Sequence, residues 1–77
     1  MSDFELSYTL LEIFERNNRK FPFWIKGIRA RHKVMRITGW DEEKKVFTGE
    51  LYTLDKLTLL NPRAQVRLDN LKGWLPC

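Results

Sequence analysis

Beyond Pro22 the chain alternates between apolar and polar positions. Met35 and Ile37 interleave with Val34, Arg36 and Thr38, and Ala64, Val66 and Leu68 interleave with Gln65, Arg67 and Asp69. Successive side chains of an extended strand project to opposite faces, so this period of two predicts strands that turn one face to a core. Turn formers divide the region. Ala30, Arg31 and His32 separate expected strands at Trp24–Arg29 and Lys33–Trp40, and GWDEEK at Gly39–Lys44 leads into a strand at Val46–Thr53. Asn61-Pro62 reads as a turn between the apolar run Leu57–Leu60 and a further strand at Ala64–Leu68. Asn70–Gly73 makes another turn, after which Trp74-Leu75 is expected to close against the first strand. Five short strands in so short a segment favour a curled or closed barrel over an open sheet with bare edges.

Ahead of Pro22 the pattern is helical. Ser2, Asp3, Phe4 and Glu5 have the spacing of a capping box, which places a helix start at Asp3. Glu5, Thr9, Glu12 and Arg16 share one helical stripe, while Phe4, Leu6, Tyr8, Leu10, Leu11, Ile13 and Phe14 cover the rest of the circumference. Acids come early and bases late, as the helix dipole prefers, and Asn17-Asn18 offers a stop. The competing reading is a strand, because Phe4, Leu6, Tyr8 and Leu10 also alternate with Glu5, Ser7 and Thr9. The expected fold class is therefore α+β: an N-terminal helix over residues 3–18, then a five-stranded antiparallel small β-barrel over residues 23–76. Seventy-seven residues leave room for one hydrophobic core, so residues 1–77 are expected to form one domain.

The run Val66, Arg67, Leu68, Asp69, Asn70, Leu71 resembles an element near the end of Sm-like barrels and of the related WYL-type regulatory domains. In those families a strand carrying Arg-Leu-Asp turns through a short helical kink into the last strand. The order of one helix and then five strands is also similar to Sm-like proteins. The likeness spans the architecture of most of the chain but only about six residues of motif. The Trp-Tyr-Leu tripeptide of the WYL family is absent, as is an Sm signature around Gly39 or Gly49. The resemblance implies an SH3-like barrel that binds RNA, nucleotides or other proteins, and it transfers no site residue.

Charge is distributed unevenly. The net charge is +4, yet Arg16, Arg19, Lys20, Lys26, Arg29, Arg31, Lys33 and Arg36 fall in one window without an Asp or Glu, while the six acids of residues 41–77 balance six bases. Phe21, Phe23 and Trp24 adjoin the basic window, a mixture suited to neutralising phosphates and stacking on bases. Buried as core, the same aromatics would leave only a basic surface. Arg29, Arg31 and Lys33 alternate, so on a regular strand they would form one positive ridge. The expected nucleic-acid-binding residues are Lys20, Phe21, Trp24, Lys26, Arg29, Arg31, Lys33 and Arg36, in a module that binds RNA or DNA and regulates transcription or RNA.

Groups suited to catalysis are few. His32 is the only histidine and sits among Arg29, Arg31 and Lys33, which mark it as a solvated turn residue. Cys77 is the only cysteine, so no disulfide within the chain and no multi-cysteine metal site is expected, and a reducing compartment is the default. Asp41, Glu42 and Glu43 read as solubilising charge in a hairpin turn, and the four glycines are too isolated for a phosphate-binding loop. We expect a protein that is not an enzyme and uses no cofactor or metal. No apolar run reaches the ~18 residues that span a bilayer, and no signal peptide is evident, which points to the cytoplasm, or to the nucleus of a eukaryotic cell.

Two other readings compete. The wide apolar helix, through Phe4, Leu6, Leu10 and Ile13, can dock on a protein partner or a second copy, making the chain an adaptor or inhibitor. Trp40, Phe47 and Tyr52 near one hairpin can form an aromatic cage for a modified side chain, although they also suit core packing.

Overall fold

In the computed structural model, which describes residues 6–77, helix α1 (Leu10–Arg16) precedes strands β1 (Phe23–Gly27), β2 (Lys33–Asp41), β3 (Val46–Thr53), β4 (Leu59–Arg67) and β5 (Trp74–Pro76). The strands form one antiparallel sheet in the order β4-β3-β2-β1-β5.

This corrects the expected fold class. β4 and β5 are not paired, so the sheet is not closed into a barrel, and with a helix of 7 residues the fold is mostly β rather than α+β. Edge protection comes by other means. At β5 the Tyr8 N–H donates to the Trp74 carbonyl at 2.8 Å and the Trp74 N–H to the Tyr8 carbonyl at 3.1 Å, so a lone bridge covers the side of Trp74 turned away from β1. At β4, Pro62 and Arg63 together oppose Glu50, because Gly49 pairs with Ala64 and Leu51 with Asn61. A proline and a bulge are common devices for blunting an edge strand.

The same bulge overturns the expected turn at Asn61-Pro62. The Arg63 N–H donates to Asn61 Oδ1 at 2.9 Å, so the local asparagine turn kinks β4 without reversing it. Leu59-Leu60 and Ala64–Arg67, from the two expected segments, thereby join in one strand. Trp74-Leu75 does pair with β1, through Gly27↔Trp74 and Lys26↔Leu75. The hairpin of β2 and β3 also matches expectation, its turn held by Asp41 Oδ1, which accepts from the Glu43 and Lys44 N–H groups at 3.0 Å.

Helix α1 is much shorter than residues 3–18. Thr9, Leu10, Leu11 and Glu12 repeat the capping-box spacing: the Glu12 N–H donates to Thr9 Oγ1 and the Thr9 N–H to Glu12 Oε1, each at 3.2 Å. The Thr9 cap is extended, and Tyr8 is held by β5, so the helix begins only at Leu10. The Ser2–Glu5 capping box lies outside the described residues. Asn17 caps the C-terminus and Asn18 follows at φ 58, the stop expected of the asparagine pair.

The core lies between α1 and one face of the sheet. Leu10 and Ile13 from the helix meet Phe23 and Ile25 of β1, Met35 and Ile37 of β2, Phe47 of β3 and Ala64 of β4. Among the described residues no helix is long and apolar enough to cross a membrane.

Candidate nucleic-acid interface

Alternation along each strand builds the opposite face. Phe23 and Ile25 enter the core, so Trp24 and Lys26 project to the other side of β1. The register sets Trp24 beside Arg36 of β2, and Arg36 beside Glu50 of β3. Tyr52, two residues beyond Glu50, reaches back so that its ring centroid stands 5.6 Å from that of Trp24. Val34, opposite Tyr52, is shut off from solvent at 3 % exposure. Trp24, Lys26, Arg36 and Tyr52 are each half-buried, a partly open aromatic pair with two cations at its side.

Glu50 organises this face. Its Oε1 accepts from Arg36 Nη1 at 3.2 Å and from the Tyr52 hydroxyl at 3.1 Å. The Tyr52 phenol is held above its ordinary range, first because burial disfavours the phenolate, then because Glu50 accepts its proton and adds negative charge, with Arg36 opposing. The chain end lies alongside: the Cys77 N–H donates to the Trp24 carbonyl at 3.2 Å. Burial pushes the Cys77 thiol up and the Lys26 charge draws it down, burial being the larger effect.

The eight expected residues fall in three places. Trp24, Lys26 and Arg36 share the outer face. Arg29 and Arg31 lie in the turn after β1, and Lys33 opens β2 beyond it, all exposed. The ridge expected of Arg29, Arg31 and Lys33 on a single strand is therefore not formed. β1 ends at Gly27 because the chain turns there, with the Ala30 N–H donating to the Gly27 carbonyl and the Lys33 N–H to the Ala30 carbonyl, each at 3.1 Å. Lys20 and Phe21 sit at the helix end of the core, apart from both groups. Phe21, 38 % exposed, packs 5.1 Å from Phe14 and 6.0 Å from Phe23, as the rim of an aromatic cluster rather than a free stacking ring. Arg36 is not a free cation, being paired to an acid of the neutral half.

The residues of the expected docking helix and of the cage are also dispersed. Leu10 at 1 % and Ile13 at 3 % exposure are core residues, because the short helix turns them onto the sheet, so they present nothing to a partner. Leu6 is exposed and Phe4 lies outside the described residues. Trp40 and Phe47 do meet, at 4.8 Å between centroids, but Tyr52 pairs with Trp24 on the opposite face, so the three form no cage. Tyr52 was the member of the outer face that sequence reasoning misplaced. The signal was its spacing from Glu50, which alternation puts on one face, but the register to Trp24 follows only from pairing two strands to β2. Among the described residues no group of three or more His, Cys, Asp and Glu side chains is gathered to hold a metal ion. No family model, no curated protein and no solved structure matches the chain.

Proposed function

We propose that the protein is a non-catalytic module that binds single-stranded nucleic acid across the outer face of its sheet. Trp24 and Tyr52 offer ring faces to bases, Lys26 and Arg36 contact phosphates, and Arg29, Arg31 and Lys33 extend the positive field from the adjoining turn. The observation that carries this reading is the Trp24–Tyr52 pair, 5.6 Å between centroids and half-buried, in one row with cations on the face turned away from the core. A sheet face built only for solvent needs no such pair, whereas stacking on an accessible ring contributes about 1–3 kcal/mol per base. Titration of fluorescein-labelled oligouridylate and of a matched duplex, read by anisotropy at two salt concentrations, tests it. Single strands are expected to bind more tightly, with a log–log salt slope of about −0.7 for each phosphate neutralised. Equal binding of both forms, or binding at low salt that survives Trp24→Ala and Tyr52→Ala together, would overturn it.

A further inference from the structure

Among the described residues the outer edge of β4 has no partner. Its inner edge pairs with β3, and among the described residues no other segment shares backbone hydrogen bonds with the outer edge of Leu59–Arg67. Beside that edge the unclosed sheet leaves a cleft of about 330 Å³, between Ala64 and Val66 of β4 and Trp74 of β5, with Ile25, Met35 and Leu51 among its lining residues. Ala64 and Val66 turn to the cleft, with Gln65 at its margin, and by alternation Arg63 and Arg67 lie on the other side of the same strand. Both arginines are exposed and neither is paired with an acid among the described residues.

We propose that this edge accepts an extended segment of a partner protein in which apolar and acidic residues alternate. The segment would add a sixth strand beside β4, its backbone satisfying the open edge. Every second side chain would enter the cleft, and the intervening carboxylates would face Arg63 and Arg67. Charge selects this occupant over a second copy of the chain, since two β4 strands paired about their middle would bring four arginines together with no acid among them. The bulge at Pro62 spoils the first half of the edge, which places the added strand against residues 63–67.

The test uses the full chain and three labelled octapeptides: four Val-Glu repeats, four Val-Lys repeats, and Val-Glu repeats with alternate amides N-methylated. Anisotropy is expected to give saturable one-to-one binding of the Val-Glu peptide, binding of the Val-Lys peptide roughly tenfold weaker as two cross-strand charge pairs turn repulsive, and no binding of the methylated peptide. Arg63→Glu with Arg67→Glu, both at exposed positions, should reverse the preference between the two charged peptides, and hydrogen exchange should slow at the β4 amides when the Val-Glu peptide is added. Absence of saturable binding, equal affinity for Val-Glu and Val-Lys, or self-association at micromolar concentration that protects the β4 amides would each overturn the proposal, the last by assigning the edge to a second copy.

Discussion

Arg36 and Glu50 face each other across β2 and β3, joined at 3.2 Å, so the cation in register with Trp24 carries its own counter-ion. Glu50 is at once the acceptor that positions Arg36 and Tyr52 and the one negative group in that row of the proposed interface. Glu50→Gln keeps an oxygen acceptor while releasing the Arg36 charge. Oligouridylate is expected to bind a few-fold more tightly, because the Arg36 charge is no longer shared between Glu50 and the phosphate it contacts. Weaker binding would mean that Glu50 serves the interface as an orienting group first.

The same carboxylate governs Tyr52. Its phenol is raised by burial and by Glu50, so the folded chain holds the phenolic proton more tightly than the unfolded chain does. This contribution to stability is fully present below the ordinary tyrosine pKa of about 10 and is lost as pH climbs through the raised value. Absorbance titration at 295 nm of a Tyr8→Phe protein should find Tyr52 ionising above the range of a free tyrosine. Glu50→Gln should bring it only part of the way back, because burial is the larger cause.

Gly49 allows β3 to cross β2 closely. A Cβ placed there would stand 1.9 Å from the Arg36 carbonyl oxygen and 2.8 Å from its carbon, backbone atoms that yield only if the strands separate. Gly49→Ala should cost about 2 kcal/mol or more, seen as a melting temperature lower by on the order of 10 °C.

Phe47 is the hub of the aromatic cluster, within 5.4 Å of Phe14, 5.8 Å of Phe23 and 4.8 Å of Trp40 between centroids. Truncation to alanine should cost about 3–5 kcal/mol, a large share of the total stability of so small a domain. Phe47→Leu keeps most of the volume and should melt cooperatively at a temperature between the two, as followed by circular dichroism.

Local rules read much of this molecule correctly. Alternation located β2, the GWDEEK segment located the hairpin turn into β3, and the asparagine pair located the helix end, while the first strand was expected two residues too long at its end. Other features depended on partners distant in sequence. The capping-box spacing occurs twice in the first twelve residues, from Ser2 and from Thr9, and the bond between Tyr8 and Trp74 is what rules out a helical turn through Tyr8. Asn61-Pro62 carries a turn signal that an edge strand absorbs as a bulge, and edge position is a property of the whole sheet. At the site, Trp24 and Lys26 share a face of β1, but the turn after Gly27 takes Arg29 and Arg31 off the strand on which their alternation was expected to form a ridge. Only register could show that Arg36 meets an acid fourteen residues away.

The most direct measurement is a titration of ¹⁵N-labelled protein with oligouridylate, followed by amide and indole chemical shifts. The Trp24 indole signal and the amides of Trp24, Lys26, Arg36, Glu50 and Tyr52 should move together and saturate, with those of Arg29, Arg31 and Lys33 shifting less. Movement confined to Lys20, Phe21 and the helix end, or none at all at low salt, would contradict the assignment of nucleic-acid binding to the outer face of the sheet.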